Sequence, residues 1–136
     1  MNTDPLATPV TASSSPGSVV RAFQERMEAR DWKAAGDLLA PDLELRFSAT
    51  GEVFRGSNFL AMNIAYPEGW TIYVDEVIEA GNRVACQIRV EMDGQTFWCA
   101  GFYTVEAGRI VHGVEHWVTA GADEPPEWRT AFTSLD

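Results

Sequence analysis

Basic residues are scarce in this chain of 136 residues, which has 10 Lys and Arg against 20 Asp and Glu and a formal net charge of −10. Nucleic acids and anionic membranes are bound through clustered Lys and Arg. The charge balance therefore argues against both classes of partner. A neutral or apolar small ligand fits better, because 11% of the residues are aromatic and five of them are tryptophan.

Long apolar runs and cysteines are also few. No run approaches the roughly 20 residues that a membrane helix needs, so we expect no membrane association. The N-terminus lacks the basic region and apolar core of a secretory signal. Two cysteines, Cys86 and Cys99, are too few for a disulfide framework and indicate buried, reduced thiols. We therefore expect a one-domain cytoplasmic protein without a cofactor.

Helical patterns come first along the chain. Residues 1–16 are rich in Ser, Thr, Ala and Pro without periodicity, which predicts a disordered N-terminal tail. Ser15 or Ser18 can cap a first helix that runs to about Arg30. Its apolar stripe consists of Val19, Phe23 and Met27.

Further helices and then strands follow. A second helix is predicted from Trp32 to Ala40, and a third from Asn58 to Tyr66, before Pro67. The alternation of Leu43–Phe47 predicts a strand between these two helices. Four longer strands are predicted at residues 70–79, 83–92, 95–105 and 109–118. Helices followed by an antiparallel meander indicate an α+β fold.

The Asp93-Gly94 pair is a strong signal for a two-residue hairpin, and its register decides which side chains share a face. It pairs Ile88 with Cys99 and Val90 with Phe97. Together with Cys86 and Tyr103, these residues form the apolar, interior face of the predicted sheet.

The next turn decides where Glu115 points. A three-residue loop, Glu106 to Gly108, places Cys99 opposite Glu115, so that Glu115 and Trp117 share the interior face. A loop of four residues instead places His112 and His116 inside, and the residues alone leave both registers open. On a strand, two histidines four residues apart are ~13 Å apart, too far to bind one metal ion. No metal site is therefore predicted.

Short motifs in this order resemble a known family. The segment Leu-Leu-Ala-Pro-Asp42, then Phe-Arg-Gly56, Gly-Arg-Ile110 and Glu-His-Trp117, resembles the nuclear transport factor two-like superfamily, in its SnoaL-like and ketosteroid-isomerase-like branch. The resemblance implies a cystatin-like, cone-shaped α+β barrel, with N-terminal helices packed in a strongly curved antiparallel sheet. It divides the chain into the tail, a SnoaL-like domain at residues 17–122 and a C-terminal extension at 123–136.

The resemblance also implies a hydrophobic pocket between helices and sheet. The expected wall consists of Phe23, Met27, Phe47, Phe59, Met62, Asn63, Tyr66, Trp70, Ile88, Val90, Phe97, Cys99, Tyr103 and Trp117. Members are commonly homodimers through the outer sheet face. The residues expected at that interface are Trp98, Phe102, Val114, His116 and Val118.

Catalytic residues of the relatives transfer unevenly. The tyrosine and two acids of ketosteroid isomerases fall at Phe23, Phe47 and Gly101, which cannot do their chemistry. The acid on the last strand of limonene-epoxide-hydrolase-like members falls at Glu115. Their Arg-x-Asp pair resembles Arg89-Val-Glu91.

Glu115 is therefore the predicted catalytic residue. Our leading hypothesis is a SnoaL-like enzyme, a cyclase, isomerase or hydrolase, which uses Glu115 for acid–base chemistry on an apolar substrate. Tyr103 and Asn63 would orient that substrate by hydrogen bonds. The alternatives are a binding module that holds a small ligand unchanged, and a structural dimer with a filled core.

Overall fold

The computed structural model describes residues 10–11 and 14–136, and most of the predicted N-terminal tail lies outside these residues. The described helices are α1 (Pro16–Glu28), α2 (Trp32–Gly36), α3 (Asn58–Ala65) and a C-terminal 3₁₀ helix (Glu127–Phe132). The described strands are β1 (Leu39–Phe47), β2 (Val53–Arg55), β3 (Thr71–Ala80), β4 (Arg83–Met92), β5 (Gln95–Glu106) and β6 (Arg109–Thr119). Helices before a meandering sheet confirm the predicted α+β class.

Helix α1 begins where its sequence predicts. The Ser15 side chain accepts a hydrogen bond from the backbone N–H of Ser18, 3.2 Å away, and Pro16 takes the first helical position, where a missing N–H costs nothing. Val19, Phe23 and Met27 are buried on one stripe, as expected. This stripe packs into the concave side of the sheet.

The six strands form one sheet in the order β2-β1-β6-β5-β4-β3. All neighbouring pairs are antiparallel except β1 and β6, which run parallel and place Phe47 beside Glu115. Strand β6 therefore lies in the interior of the sheet, with hydrogen-bonded neighbours on both sides. Its backbone is fixed from both edges, which fixes the side chains that it carries.

The hairpin at Asp93-Gly94 has the register that the sequence predicts. Ile88 pairs with Cys99 and Val90 with Phe97. Cys86, Ile88, Cys99 and Tyr103 are all buried, on the face that was expected to be interior.

The turn between β5 and β6 differs from the prediction. The loop has two residues, Ala107 and Gly108, rather than three, and Glu106 pairs directly with Arg109. A β-bulge then inserts Val111 as an extra residue in β6, so that the register moves by one more position. Cys99 consequently pairs with Trp117, two positions from the predicted partner.

A displacement of two residues leaves every side chain on its original face. Glu115 now pairs with Gly101, and it still points to the same interior as Cys99 and Tyr103. The two histidines of β6, His112 and His116, are exposed on the outer face.

The region between α2 and α3 also differs from the prediction. Helix α2 ends at Gly36 rather than Ala40, because the chain there turns into β1 and joins β6: the backbone N–H of Ile110 donates to the carbonyl of Leu38, 2.8 Å away. The sequence makes no prediction for Val53–Arg55, which form a short strand that pairs with β1. The early end of α2 comes from β6, a partner that is distant in sequence.

The side chain of Arg30 joins the end of α1 to the start of β3. It donates to the carbonyl of Trp70 at 2.6 Å and to that of Glu28 at 2.8 Å, and it forms an ion pair with Glu68. The guanidinium also stacks on the Trp70 ring, 3.4 Å from its centroid. Since Trp70 forms part of the interior, this cluster holds one end of the domain closed.

We expect Arg30→Ala to lower the free energy of unfolding by ~2 kcal/mol, the typical effect of losing hydrogen bonds to a charged group. Alanine keeps the Cβ and with it similar backbone preferences, so the loss of unfolding free energy measures the contacts of the removed guanidinium group. The control is Lys33→Ala, which removes an exposed ion pair with Asp37 and should leave stability unchanged. Equal midpoints of urea unfolding for both variants would contradict this assignment.

Candidate functional site

A cavity of about 270 Å³ lies between the helices and the concave face of the sheet. Its wall is almost entirely apolar. It is formed by Phe23, Gln24, Met27, Phe47, Ala49, Thr50, Phe59, Met62, Asn63, Tyr66, Trp70, Ile72, Ile88, Val90, Met92, Phe97, Glu115 and Trp117. The described part of the domain is thus a hollow cone rather than a filled one.

Two residues expected in the wall lie elsewhere. Cys99 and Tyr103 are buried on the interior face but do not reach the cavity. Both occupy the layer behind the cavity wall. The remaining residues expected in the wall all line it.

Sequence reasoning missed five residues of the wall: Gln24, Ala49, Thr50, Ile72 and Met92. Two of them had a usable signal. Met92 alternates with Ile88 and Val90 onto the same face of β4. Gln24 lies three residues before Met27 on the inner side of α1. Ala49 and Thr50 lie in the turn after β1, for which strand and helix periodicity make no prediction.

The Glu115 side chain is 3% exposed and both of its oxygens accept hydrogen bonds. The Tyr103 hydroxyl donates to Oε2 at 2.6 Å, and the indole Nε1–H of Trp117 donates to Oε1 at 3.0 Å. Each donor lies on an ordered strand, β5 or β6. The carboxyl group is therefore held in one orientation at the cavity wall.

Two glycines make room for the Tyr103 ring. Gly101 and Gly113 lie on either side of it, and a Cβ on Gly113 would be 2.8 Å from Tyr103 Cδ1. A Cβ on Gly101 would overlap the Tyr103 hydroxyl itself. Because neither residue has a side chain, the phenol lies flat on the sheet and reaches Glu115.

Burial raises the pKa of Glu115 above its ordinary value of 4.5, although the hydrogen bonds from Tyr103 and Trp117 act in the opposite direction. The desolvating surface is aromatic. Phe47 pairs with Glu115 across the parallel strands, and its ring lies 6.4 Å from that of Trp117. The carboxyl group is thus closer to being protonated near neutral pH than a solvated glutamate is.

Tyr103 is not an independent acid. Burial and then the nearby charge of Glu115 raise its pKa well above the ordinary value, so it keeps its proton and serves as a donor. Burial likewise raises the pKa of Cys99, which leaves it an unreactive thiol.

The other polar groups of the wall are few. The Asn63 amide donates to the carbonyl of Phe59 at 2.9 Å, so its oxygen keeps its acceptor capacity. Tyr66 ends α3 and is half exposed. Among the described residues, no group of three or more His, Cys, Asp or Glu side chains is placed to bind a metal ion.

The ketosteroid-isomerase positions carry no catalytic group. Phe23 and Phe47 present rings to the cavity, and Gly101 is covered by Tyr103. The acid of this site reaches the cavity from β6 instead.

Residues 20–113 match the sequence model of the SnoaL-like domain family. The match covers more than half of the chain. The chain belongs to the SnoaL-like domain family. No curated protein matches it. None of the helices in the described residues is long and apolar enough to cross a membrane.

Solved structures with the same fold include three proteins with different names. A candidate ketosteroid isomerase from Kribbella flavida is 22% identical with a TM-score of 0.83, over 93% of both chains. IdmH, a candidate polyketide cyclase from Streptomyces antibioticus, is 18% identical with a TM-score of 0.68, over 79% of this chain and 93% of its own. An epoxide hydrolase from M. tuberculosis is 17% identical with a TM-score of 0.65, over 76% and 82%. These structural similarities show the nuclear transport factor two-like cone fold. At identities this low they show the fold alone.

We expect Glu115→Gln to remove a pH-dependent loss of stability. Because burial raises the folded-state pKa of Glu115, the folded protein holds this proton more tightly than the unfolded chain does. The wild-type free energy of unfolding therefore falls as pH rises from 4.5 through the folded pKa, and glutamine does not titrate. Urea unfolding of both proteins between about pH 4 and 8 should show a wild-type-minus-variant difference that declines with pH. A difference that stays level or increases would contradict a raised pKa.

Proposed function

We propose that this protein is an enzyme of the SnoaL-like type, in which Glu115 transfers a proton to and from an apolar, oxygenated small molecule. The observation that carries the proposal is a carboxyl group buried in the wall of an apolar cavity, with both oxygens oriented by donors. A site of this kind is the default location for acid–base chemistry in a protein pocket.

The ionised form of Glu115 acts as the base. A carboxylate has about four lone-pair sites, and Tyr103 and Trp117 use one on each oxygen, which leaves two for a substrate proton. Glu115 takes the proton from a carbon next to a substrate carbonyl, and the electron pair of that C–H bond moves into the enolate. The neutral acid then returns the proton to the same or another atom of the product.

Tyr103 is a positioning residue in this scheme rather than an orienter of the substrate. It contacts Glu115 and does not reach the cavity, whereas the Asn63 oxygen remains available to a substrate hydroxyl. Donation from Tyr103 and Trp117 also stabilises the carboxylate that the reaction requires. Their removal would raise the pKa of Glu115 further and shift activity to higher pH.

The size of the cavity limits the substrate. An engineered cavity of about 150 Å³ binds benzene, so 270 Å³ accommodates a body of one or two rings. The fold relatives named as isomerase, cyclase and epoxide hydrolase give a range of reactions for this architecture, and another neighbour, from Catenulispora acidiphila, is complexed with trimethylamine. Proton transfer by one acid is the step that we assign to this chain.

We expect the protein to accelerate exchange of the acidic C–H protons of 2-tetralone, a two-ring ketone, for deuterium in D₂O. Glu115→Gln should reduce the exchange rate to the buffer rate, a loss of about 100-fold or more for a general base. Tyr103→Phe should retain part of the rate with a pH profile displaced upwards. Proton NMR of the ketone measures all three rates. Tyr73→Phe is the matched control, because this phenol is exposed on β3 and lies outside the cavity wall.

The same experiment separates the enzyme from a binding module. If 2-tetralone binds to both the wild type and Glu115→Gln, and its protons exchange at the same rate with both proteins, Glu115 has no catalytic role. One observation favours the binding alternative. Among the described residues of the wall, the titratable side chains are Glu115 and the half-exposed Tyr66, so Glu115 has no second carboxyl or imidazole group beside it.

We also propose that the protein is a homodimer through the outer face of its sheet. Two cross-strand pairs supply apolar surface there, Phe102 with Val114 and Trp98 with Val118. Phe102 is 43% and Val118 59% exposed in the single chain. Trp98, His116 and Val118 also border a shallow depression of about 400 Å³. An exposed apolar patch on a sheet face is typical of a partner surface.

We expect light scattering to give a mass of twice the 15.0 kDa of one chain. Val118→Asp should convert the dimer to a monomer, since it would bury a carboxylate without a partner in an apolar interface. Ile64→Asp is the control, because Ile64 is similarly exposed but lies on α3, away from the sheet face. A monomeric wild type at micromolar concentration would refute the dimer.

A further inference from the structure

One polar side chain of the cavity wall has no partner. Gln24 projects from α1 and is 4% exposed, yet within the described part of the chain no group forms a hydrogen bond with its side-chain amide. Leaving a buried amide unpaired is costly, and buried polar groups in proteins almost always have a partner. Unlike the unpaired Nε atom of Arg26 and Nε1 atom of Trp70, the Gln24 amide is not fully enclosed, so it is free to bind a ligand in the cavity.

Two other buried polar atoms also lack partners but differ in position. The Trp70 Nε1 and Arg26 Nε atoms are both sealed within the protein, Trp70 beneath the stacked guanidinium of Arg30. Neither atom can meet a ligand without rearrangement. The Gln24 amide, by contrast, opens onto the cavity that Glu115 borders.

Gln24 and Glu115 approach the cavity from different sides. Helix α1 runs alongside β3: Gly17 lies against Val77 at one end, and the Glu28 carboxylate accepts a hydrogen bond from the N–H of Ile72 at the other. Glu115 lies on β6, which is separated from β3 by two strands. The two polar groups therefore reach the cavity from different elements, α1 and β6, and contact different parts of one ligand.

The chemistry of the two groups defines the ligand. An amide both donates and accepts hydrogen bonds, which suits a hydroxyl or a carbonyl. A carboxylate or phosphate is disfavoured, because Glu115 shares the cavity and the chain has a net charge of −10.

We propose that Gln24 determines specificity by binding a second oxygen of the ligand, so that the ligand is a neutral one- or two-ring molecule with two oxygen functions at opposite ends. One oxygen function lies at Glu115, and a hydroxyl or carbonyl lies at Gln24. This inference rests on the proposed function only in taking this cavity as the site of the ligand.

Two probes of equal ring size test the proposal: 2-tetralone, with one oxygen, and 6-hydroxy-2-tetralone, with a hydroxyl at the far end of the second ring. The wild type should bind the hydroxylated probe about fivefold more tightly, the effect of one neutral hydrogen bond. Gln24→Leu should abolish this ratio while retaining affinity for 2-tetralone. Gln95→Leu, at the exposed hairpin, should behave as the wild type. Ligand-observed NMR gives the dissociation constants.

A ratio that is unchanged in Gln24→Leu would overturn the proposal, and so would a wild type that binds neither probe. Stability provides a second readout. Because leucine removes an unpaired amide from a buried position, Gln24→Leu should have an equal or higher urea midpoint than the wild type. A lower midpoint would show that Gln24 is structural. A wild type that discriminates between the probes but does not exchange protons would refute the proposed reaction and leave this inference standing.

Discussion

The hydrogen bond from the Tyr103 hydroxyl to Glu115 is the interaction on which the site depends. A carboxyl group with 3% exposure is tolerated only when its oxygens are satisfied, and Tyr103 and Trp117 together satisfy both. The bond requires two glycines, since any side chain at Gly101 or Gly113 would displace the phenol ring. The two positions that look least informative in the sequence thus permit the burial of Glu115.

The face on which Glu115 lies depends on whether the total register shift between β5 and β6 is even or odd, rather than on the loop length alone. A two-residue turn alone would rotate β6 by one position and expose the acid, but the bulge at Val111 adds the compensating residue. The sum of turn and bulge decides the face of β6 on which Glu115 lies. An error of one residue in the predicted loop therefore produced a correct face, because a second, independent irregularity offset it.

Local signals in the sequence were sufficient for the elements they control. The Ser15 cap, the Asp93-Gly94 hairpin and the apolar alternation of β4 and β5 each act within a few residues, and each prediction from them is confirmed. The parallel pairing of β1 with β6 joins residues about 70 positions apart, and no local pattern encodes it. Tyr103 was expected to contact the substrate because the predicted register placed Glu115 opposite Cys99. The shift of two residues places Glu115 opposite Gly101, within reach of the Tyr103 hydroxyl.

The acid and about half of the cavity wall belong to different parts of the fold. Glu115 is on an interior strand with neighbours on both sides, whereas much of the wall comes from α1, α3 and the turn after β1, which surround the opposite side of the cavity. Substitutions in those helices can reshape the cavity without moving the carboxyl group. Such a division would let one scaffold acquire new substrates by small steps while its proton-transfer group stays in place.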